Sequence, residues 1–237
     1  MTTASEPHPQ TGQPVGPKVD STPSPLPGPV TLEGRFGRLE KLQPAHAPAL
    51  WKHFKGHPQL WTYIGAFGPF DTEPDFAAHI ERFSASPDPY AYAIVDKDKG
   101  PVGYFTLMSV RPDARSIEVG HVMYTPAMQR SPLATEVQYL LAKYIFETLN
   151  YRRYEWKCNA LNAPSRRAGQ RLGFTYEGIF RQYLITKGRN RDNAMYSMLD
   201  SEWPARKAAF ERWLSPDNFN ADGTQKISLA TLNPPTT

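Results

Sequence analysis

Ile117-Glu118-Val119-Gly120-His121-Val122-Met123-Tyr124, followed by Thr125-Pro126-Ala127-Met128-Gln129-Arg130-Ser131-Pro132-Leu133, is the stretch on which the fold turns. The first part reads as a strand and the second as a tight loop. An apolar stripe of Val137, Leu140, Leu141, Tyr144, Ile145 and Leu149 then predicts an amphipathic helix over about 134–150. A second strand is expected over about 153–158, then Asn162-Ala163-Pro164-Ser165 opens a helix that stops at Leu172-Gly173-Phe174. Two strands joined across a helix must run parallel. Loop amides and a helix N-terminus that converge on one point favour an anion there, and a pyrophosphate is the expected ligand.

Working outward, strands are expected over 35–42, 90–95 and 101–110, the last two joined by the turn Asp96-Lys97-Asp98-Lys99-Gly100. Helices are expected over 44–54, 73–84 and 201–214, and a hairpin of strands over 179–186 and 193–199. Between the first two helices lies an aromatic-rich piece with Trp61, Tyr63, Phe67 and Phe70. The order is β, α, α, β, β, β, α, β, α, β, β, α. It predicts an α/β fold: a mixed, mostly antiparallel twisted sheet flanked by helices, with one parallel crossover.

Eight of the 24 prolines fall in the first 30 residues, which show no apolar periodicity, so 1–30 is expected to be a disordered proline-rich tail. Residues 31–215 suit one domain. Residues 216–237 read as a polar C-terminal tail, with 227–232 able to dock on the surface. One cysteine, Cys158, rules out an internal disulfide and favours a reducing compartment. No run could span a bilayer, and the N-terminus resembles neither a secretory signal nor a mitochondrial presequence. A cytoplasmic protein with no membrane partner is expected.

Between Asn150 and Arg191, ten Lys or Arg face only Glu155 and Glu177, giving that segment +8 in a chain of net charge +4. Such a run is a solvated face or a seat for a phosphate-bearing partner, either a nucleotide cofactor or RNA. The loop favours the cofactor.

The element order and two motif regions resemble the GNAT N-acetyltransferase superfamily, and within it the branch of the ribosomal-protein N-terminal acetyltransferases, over about residues 33–200. The family's loop reads Gln/Arg-x-x-Gly-x-Gly/Ala. Here it is Gln129-Arg130-Ser131-Pro132-Leu133-Ala134, followed by Thr135-Glu136. Gln129 and Ala134 match. Pro132 replaces a glycine, deletes one N–H and fixes φ. The resemblance implies that Gln129, Arg130, Ser131, Leu133, Ala134 and Thr135 hold the pyrophosphate of acetyl-CoA. The second motif matches at Asn162, Ser165 and Leu172-Gly173-Phe174, which implies that Asn162 and Ser165 contact the pantetheine or phosphate end. Arg166 or Arg167 is in reach of a phosphate. The competing plain reading makes Asn162 a helix cap and the arginines surface charges.

Acetyl transfer requires an amine relieved of a proton, a polarised carbonyl and a stabilised leaving thiolate. The resemblance implies Glu118 as the base, with backbone N–H groups near Met123 and Tyr124 polarising the carbonyl. The tyrosine acid of many relatives, four residues after Ser165, is Gly169 here. Trp61 and Tyr63 are the expected acceptor contacts. His121 is a proton carrier or a buried, hydrogen-bonded histidine. His46, His53 and His57 lack a zinc pattern, and no metal is expected.

The implied activity is that of an acetyl-CoA-dependent N-acetyltransferase. It would transfer the acetyl group by direct attack to a primary amine, on a protein N-terminus (a ribosomal protein included) or a small molecule, as a monomer or homodimer. The alternative is a catalytically weak acyl-CoA-binding or RNA-associated module on the same fold.

Overall fold

The computed structural model describes residues 4–234. Its frame is a sheet of eight strands: β1 (Leu32–Glu33), β2 (Gly37–Lys41), β3 (Tyr90–Asp96), β4 (Gly100–Arg111), β5 (Ser116–Tyr124), β6 (Arg153–Asn159), β7 (Thr175–Thr186) and β8 (Arg189–Leu199). They lie in the order β1-β2-β3-β4-β5-β6-β8-β7. All neighbours are antiparallel except β5 and β6, which pair in parallel from Ser116 opposite Arg153 to Val119 opposite Trp156. This is the mixed, mostly antiparallel α/β architecture that the sequence predicts.

The helices are α1 (Ala47–Phe54), α2 (Glu73–Ala85), α3 (Pro132–Lys143), α4 (Ala163–Arg171) and α5 (Trp203–Leu214). Strand alternation sends Ala91, Ala93, Val95, Tyr104 and Met123 to one face, under Leu50, Trp51, Phe54, Phe76 and Ile80 of α1 and α2. Tyr92, Ile94, Phe105, Leu107, Ile117 and Val119 go to the other face, under α3 and α5. Because both faces are covered, 91–95 is apolar throughout rather than alternating. Each fully buried Leu or Val, such as Val137 and Leu141, adds about 1.5–3 kcal/mol. Packing, more than helix propensity, therefore holds α3 in place.

The helix expected to run to 150 ends as α-helix at Lys143 and continues as a single π turn, Tyr144–Thr148. Tyr144, Ile145 and Phe146 are all buried. Three consecutive side chains do not fit one narrow α-helical stripe, and the wider turn accommodates them.

Within the expected tail, residues 24–28 are held against the domain. Ser24 Oγ donates to the Asn150 carbonyl, Tyr151 OH to the Pro25 carbonyl and Tyr92 OH to the Gly28 carbonyl, while Gly28 N–H donates to Tyr144 OH. A segment with no periodicity of its own is laid along the domain by tyrosines that lie far away in sequence. At the other end Leu229 is buried against the core, and Asn218 bonds Ile227 through both its side-chain atoms.

Candidate active site

β5 and β6 pair only through Val119 and Trp156; beyond them residues 120–124 and 157–159 part company. At that parting β5 carries a bulge. Tyr104 faces Met123 and Thr106 faces Gly120, so β5 has one residue more than β4 over this interval. His121 takes up the excess with φ of 46°, in the left-handed region. The bulge turns its side chain onto the α1/α2 face, where Nδ1 lies 3.0 Å from Thr106 Oγ1 and the ring packs on Phe67 and Phe83. Met123 has its carbonyl against Gly103 of β4. Alternation then points the main-chain groups of Tyr124 to the open side. Of the two residues expected to polarise a carbonyl, Met123 is turned away.

The loop after β5 is wound by its own hydrogen bonds. Met128 and Gln129 N–H both donate to the Thr125 carbonyl, and Gln129 Nε2 donates back to the Tyr124 carbonyl. Ser131 differs from the expectation: its N–H and its Oγ both donate to the Met128 carbonyl, which removes both from the mouth of the loop. Pro132 is the first residue of α3, where a helix makes no internal use of an N–H and a fixed φ is favourable. Ser131 makes no side-chain cap, so the N–H groups of Leu133 and Ala134 stay open at the helix start. Arg130 is exposed, with φ of 60°. Thr135 Oγ1 accepts from Arg171 Nη2 at 2.9 Å. Glu136 is turned away from the mouth and accepts from the N–H groups of Arg35 and Phe36.

On the β6 side Asn162 caps α4, its Oδ1 accepting from Ser165 N–H at 3.2 Å. Ser165 Oγ accepts from Trp156 Nε1. Arg166 donates to Tyr196 OH, and Arg167 is exposed. A Cβ at Gly169 would lie 3.3 Å from the Trp156 indole, so the helix packs closely on that ring here.

Glu118 is only 7% exposed. It accepts from Lys157 Nζ at 2.9 Å and from Ser109 Oγ at 3.1 Å, and Lys157 also pairs with Glu155. Burial pushes the Glu118 carboxyl above its ordinary range, with Lys157 and Ser109 pulling the other way. Burial also opposes the Lys157 charge, but the two carboxylates outweigh it and leave Lys157 above the ordinary lysine value. For His121, burial first and then the nearby Arg191 bring the pKa down to about 4.

The two expected acceptor residues part ways. Trp61 is 3% exposed and packs edge-on against Phe70 behind the site, so it belongs to the core. Tyr63 is half-buried, and its OH reaches the Leu161 carbonyl at the start of α4. The loop that carries them is held by the β7–β8 hairpin. Lys187 Nζ donates to the carbonyls of Trp61 and Gly68, and Arg191 Nη1 donates to that of Tyr63. Sequence reasoning missed Arg171, Arg191, Lys187 and Thr106, whose roles arise from contacts 15 to 128 positions apart along the chain. Arg153, Lys157, Arg166, Arg171, Lys187 and Arg191 of the basic segment are all bonded within the molecule. Arg152, Arg167, Arg181, Lys187 and Arg189 stay exposed, so the segment is part bracing network and part basic surface.

A family model described as acetyltransferase (GNAT) domain matches residues 38–175. The chain belongs to the GNAT acetyltransferase family. A GCN5-related N-acetyltransferase from Brucella melitensis is 42% identical with a TM-score of 0.87, over 90% of this chain and 98% of that one. A probable acetyltransferase of the GNAT family from Chromobacterium violaceum is 35% identical with a TM-score of 0.76, over 81% and 98%. The Bacillus licheniformis N-acetyltransferase p20 is 39% identical over 70 residues, which span 30% of this chain and 39% of that protein. As a GNAT N-acetyltransferase this chain is an enzyme. Among the described residues no helix is long and apolar enough to cross a membrane, and no group of three or more His, Cys, Asp or Glu could hold a metal ion.

Proposed function

We propose that this GNAT enzyme takes its acetyl group from acetyl-CoA and passes it to a primary amine by direct attack. The observation that carries the reading is the parting of β5 from β6 beyond Val119 and Trp156, with α3 and α4, which follow the C-terminal ends of these two parallel strands, flanking the same open end of the gap. A flat thioester arm can lie between separated strands and use their free main-chain groups, as a missing strand would. The open N–H groups of Leu133 and Ala134 and the Arg171 guanidinium suit a pyrophosphate at the mouth. Asn162, Ser165 and Arg166 border the gap at α4.

The chain's own groups supply positioning and charge. Tyr124 offers main-chain polarity at the open edge of β5. The loop carrying Tyr63, strapped down by Lys187 and Arg191, closes the acceptor face and excludes water. The amine enters on the α1/α2 face, beside Thr106 and His121. An acceptor on a protein N-terminus suits the exposed approach past Tyr63, and small amines fit the same chemistry.

Isothermal titration of acetyl-CoA into the full chain, paired with thiol release in the presence of a panel of primary amines, tests the reading. Micromolar binding that Asn162→Ala weakens, with amine-dependent thiol release, supports it. Absence of heat at several temperatures together with no thiol release would sink it.

A further inference from the structure

Two ionisable side chains stand on β5 at the parting, and their surroundings differ. Glu118 lies on the paired side of it. Its Oε2 takes both the Lys157 ammonium and the Ser109 hydroxyl. Those two donors occupy the Glu118 carboxylate and hold it toward Lys157 and Ser109, even though burial raises its pKa above the ordinary value. His121 lies on the unpaired side, three residues on. We propose that His121, held by Thr106, is the group that takes the proton from the attacking amine. The proposal deepens the acetyl-transfer reading and rests on it.

Geometry carries the assignment. Without the bulge, strict alternation would send His121 to the α3 face, away from Glu118 and Thr106. The left-handed φ at His121 is uncommon for a residue other than glycine, and it places the imidazole among the acceptor-side residues. Thr106 Oγ1 fixes Nδ1, while Nε2 has no hydrogen-bond partner and is not sealed from solvent among the described residues. Nδ1–H donating to Thr106 would leave the Nε2 lone pair as the acceptor. Phe67 and Phe83 fix the ring plane, with centroids 5.1 and 5.4 Å away.

The charged or titratable groups facing the ring are Arg191 from β8 and His79 from α2. Burial first and then Arg191 disfavour imidazolium, so at physiological pH the ring is neutral with a vacant Nε2 lone pair, but only weakly basic.

The amine nitrogen bonds to the thioester carbon, and the carbonyl π pair moves onto oxygen. The nitrogen, now cationic, gives its proton to Nε2. The carbonyl re-forms, the C–S bond breaks with its pair leaving on sulfur, and the imidazolium proton passes to the thiolate or to water. A base this weak cannot deprotonate a free ammonium; it can only relay the proton of the cationic adduct nitrogen onward to the departing thiolate. The acceptor must therefore attack as the neutral amine.

The test has two arms. In the first, nitrogen-15 NMR of the imidazoles in the full-length wild-type chain follows His121 from pH 4 to 8, with and without acetyl-CoA. Protonated Nδ1, bare Nε2, a midpoint below about 5 and a shift on adding acetyl-CoA are expected. A neutral ring that carries its proton on Nε2 at pH 7, with and without acetyl-CoA, overturns the proposal without touching the acetyl-transfer reading. In the second arm, thiol release from acetyl-CoA is followed with spermidine, tyramine and short peptides of free N-terminus. His121→Gln and His121→Asn are expected to lower kcat by about 100-fold or more with little change in the KM for acetyl-CoA. Thr106→Val is expected to give a smaller loss of kcat and an altered tautomer balance. A folded His121→Gln protein with kcat within about threefold of wild type overturns the proposal alone. A wild-type protein that neither binds acetyl-CoA nor releases thiol overturns the functional reading, and this proposal with it.

Discussion

Arg171, in the last turn of α4, donates from Nη2 to Thr135 Oγ1 in the first turn of α3 across 2.9 Å. The guanidinium also sits 5.2 Å from the centre of the Trp213 ring. It therefore ties together the two helices that bound the gap and brings a fixed cation to the start of α3, where Pro132 has removed an N–H. Arg171→Gln should weaken acetyl-CoA binding by about tenfold or more, since charge-assisted bonds to phosphate contribute about 1.5–3 kcal/mol. Titration at low and moderate salt checks this. The wild-type affinity should fall more steeply with salt than that of the variant.

Lys157 bridges Glu118 and Glu155 in a half-buried cluster. Lys157→Met leaves the buried Glu118 carboxylate without its cation, while Glu155 keeps Arg153 and Arg111, and breaking a buried pair in this way costs about 3–5 kcal/mol. Urea denaturation should show an unfolding free energy lower by that amount. Glu118→Gln, which leaves Lys157 paired with Glu155, should cost clearly less. Equal losses would mean the cluster does not act as a unit.

His79 is fully buried, with Nε2 at 3.0 Å from Tyr104 OH, and burial, with Arg82 and His121 adding to it, lowers its pKa to about 3. A histidine held neutral in the fold contributes stability above its unfolded pKa, near 6.5, and loses it as pH falls toward the folded value. Between pH 7 and pH 5 this one group should remove about 2 kcal/mol. His79→Gln should flatten the stability profile over that range. An unchanged slope in urea melts at pH 7, 6 and 5 would contradict this account.

Trp61 and Tyr63 lie two positions apart and should respond in opposite ways. Trp61→Ala empties a buried site against Phe54 and Phe70 and should cost about 3–5 kcal/mol of stability. Tyr63→Phe removes only the bond to the Leu161 carbonyl and should cost about 1 kcal/mol or less. Its effect should appear in the acceptor KM. Thermal melts and acceptor kinetics on the two variants separate core from wall.

The order of the main elements, the single parallel crossover and the two helix starts bordering the gap are legible in the sequence. These follow from local rules: period-two and period-3.6 patterns, proline at the first helical position, and Asn162 as a cap. The π turn at Tyr144–Thr148, the docking of residues 20–30 and the bulge at His121 were decided only by tertiary structure. Each depends on a partner distant in the chain that has no local pattern to announce it. The same holds for which ionisable groups are free. Glu118 and His121 are three residues apart on one strand and look equally available in the sequence. Lys157 and Ser109 occupy the first, while a one-residue bulge turns the second toward the open face, because strand register decides which side of a sheet each side chain meets.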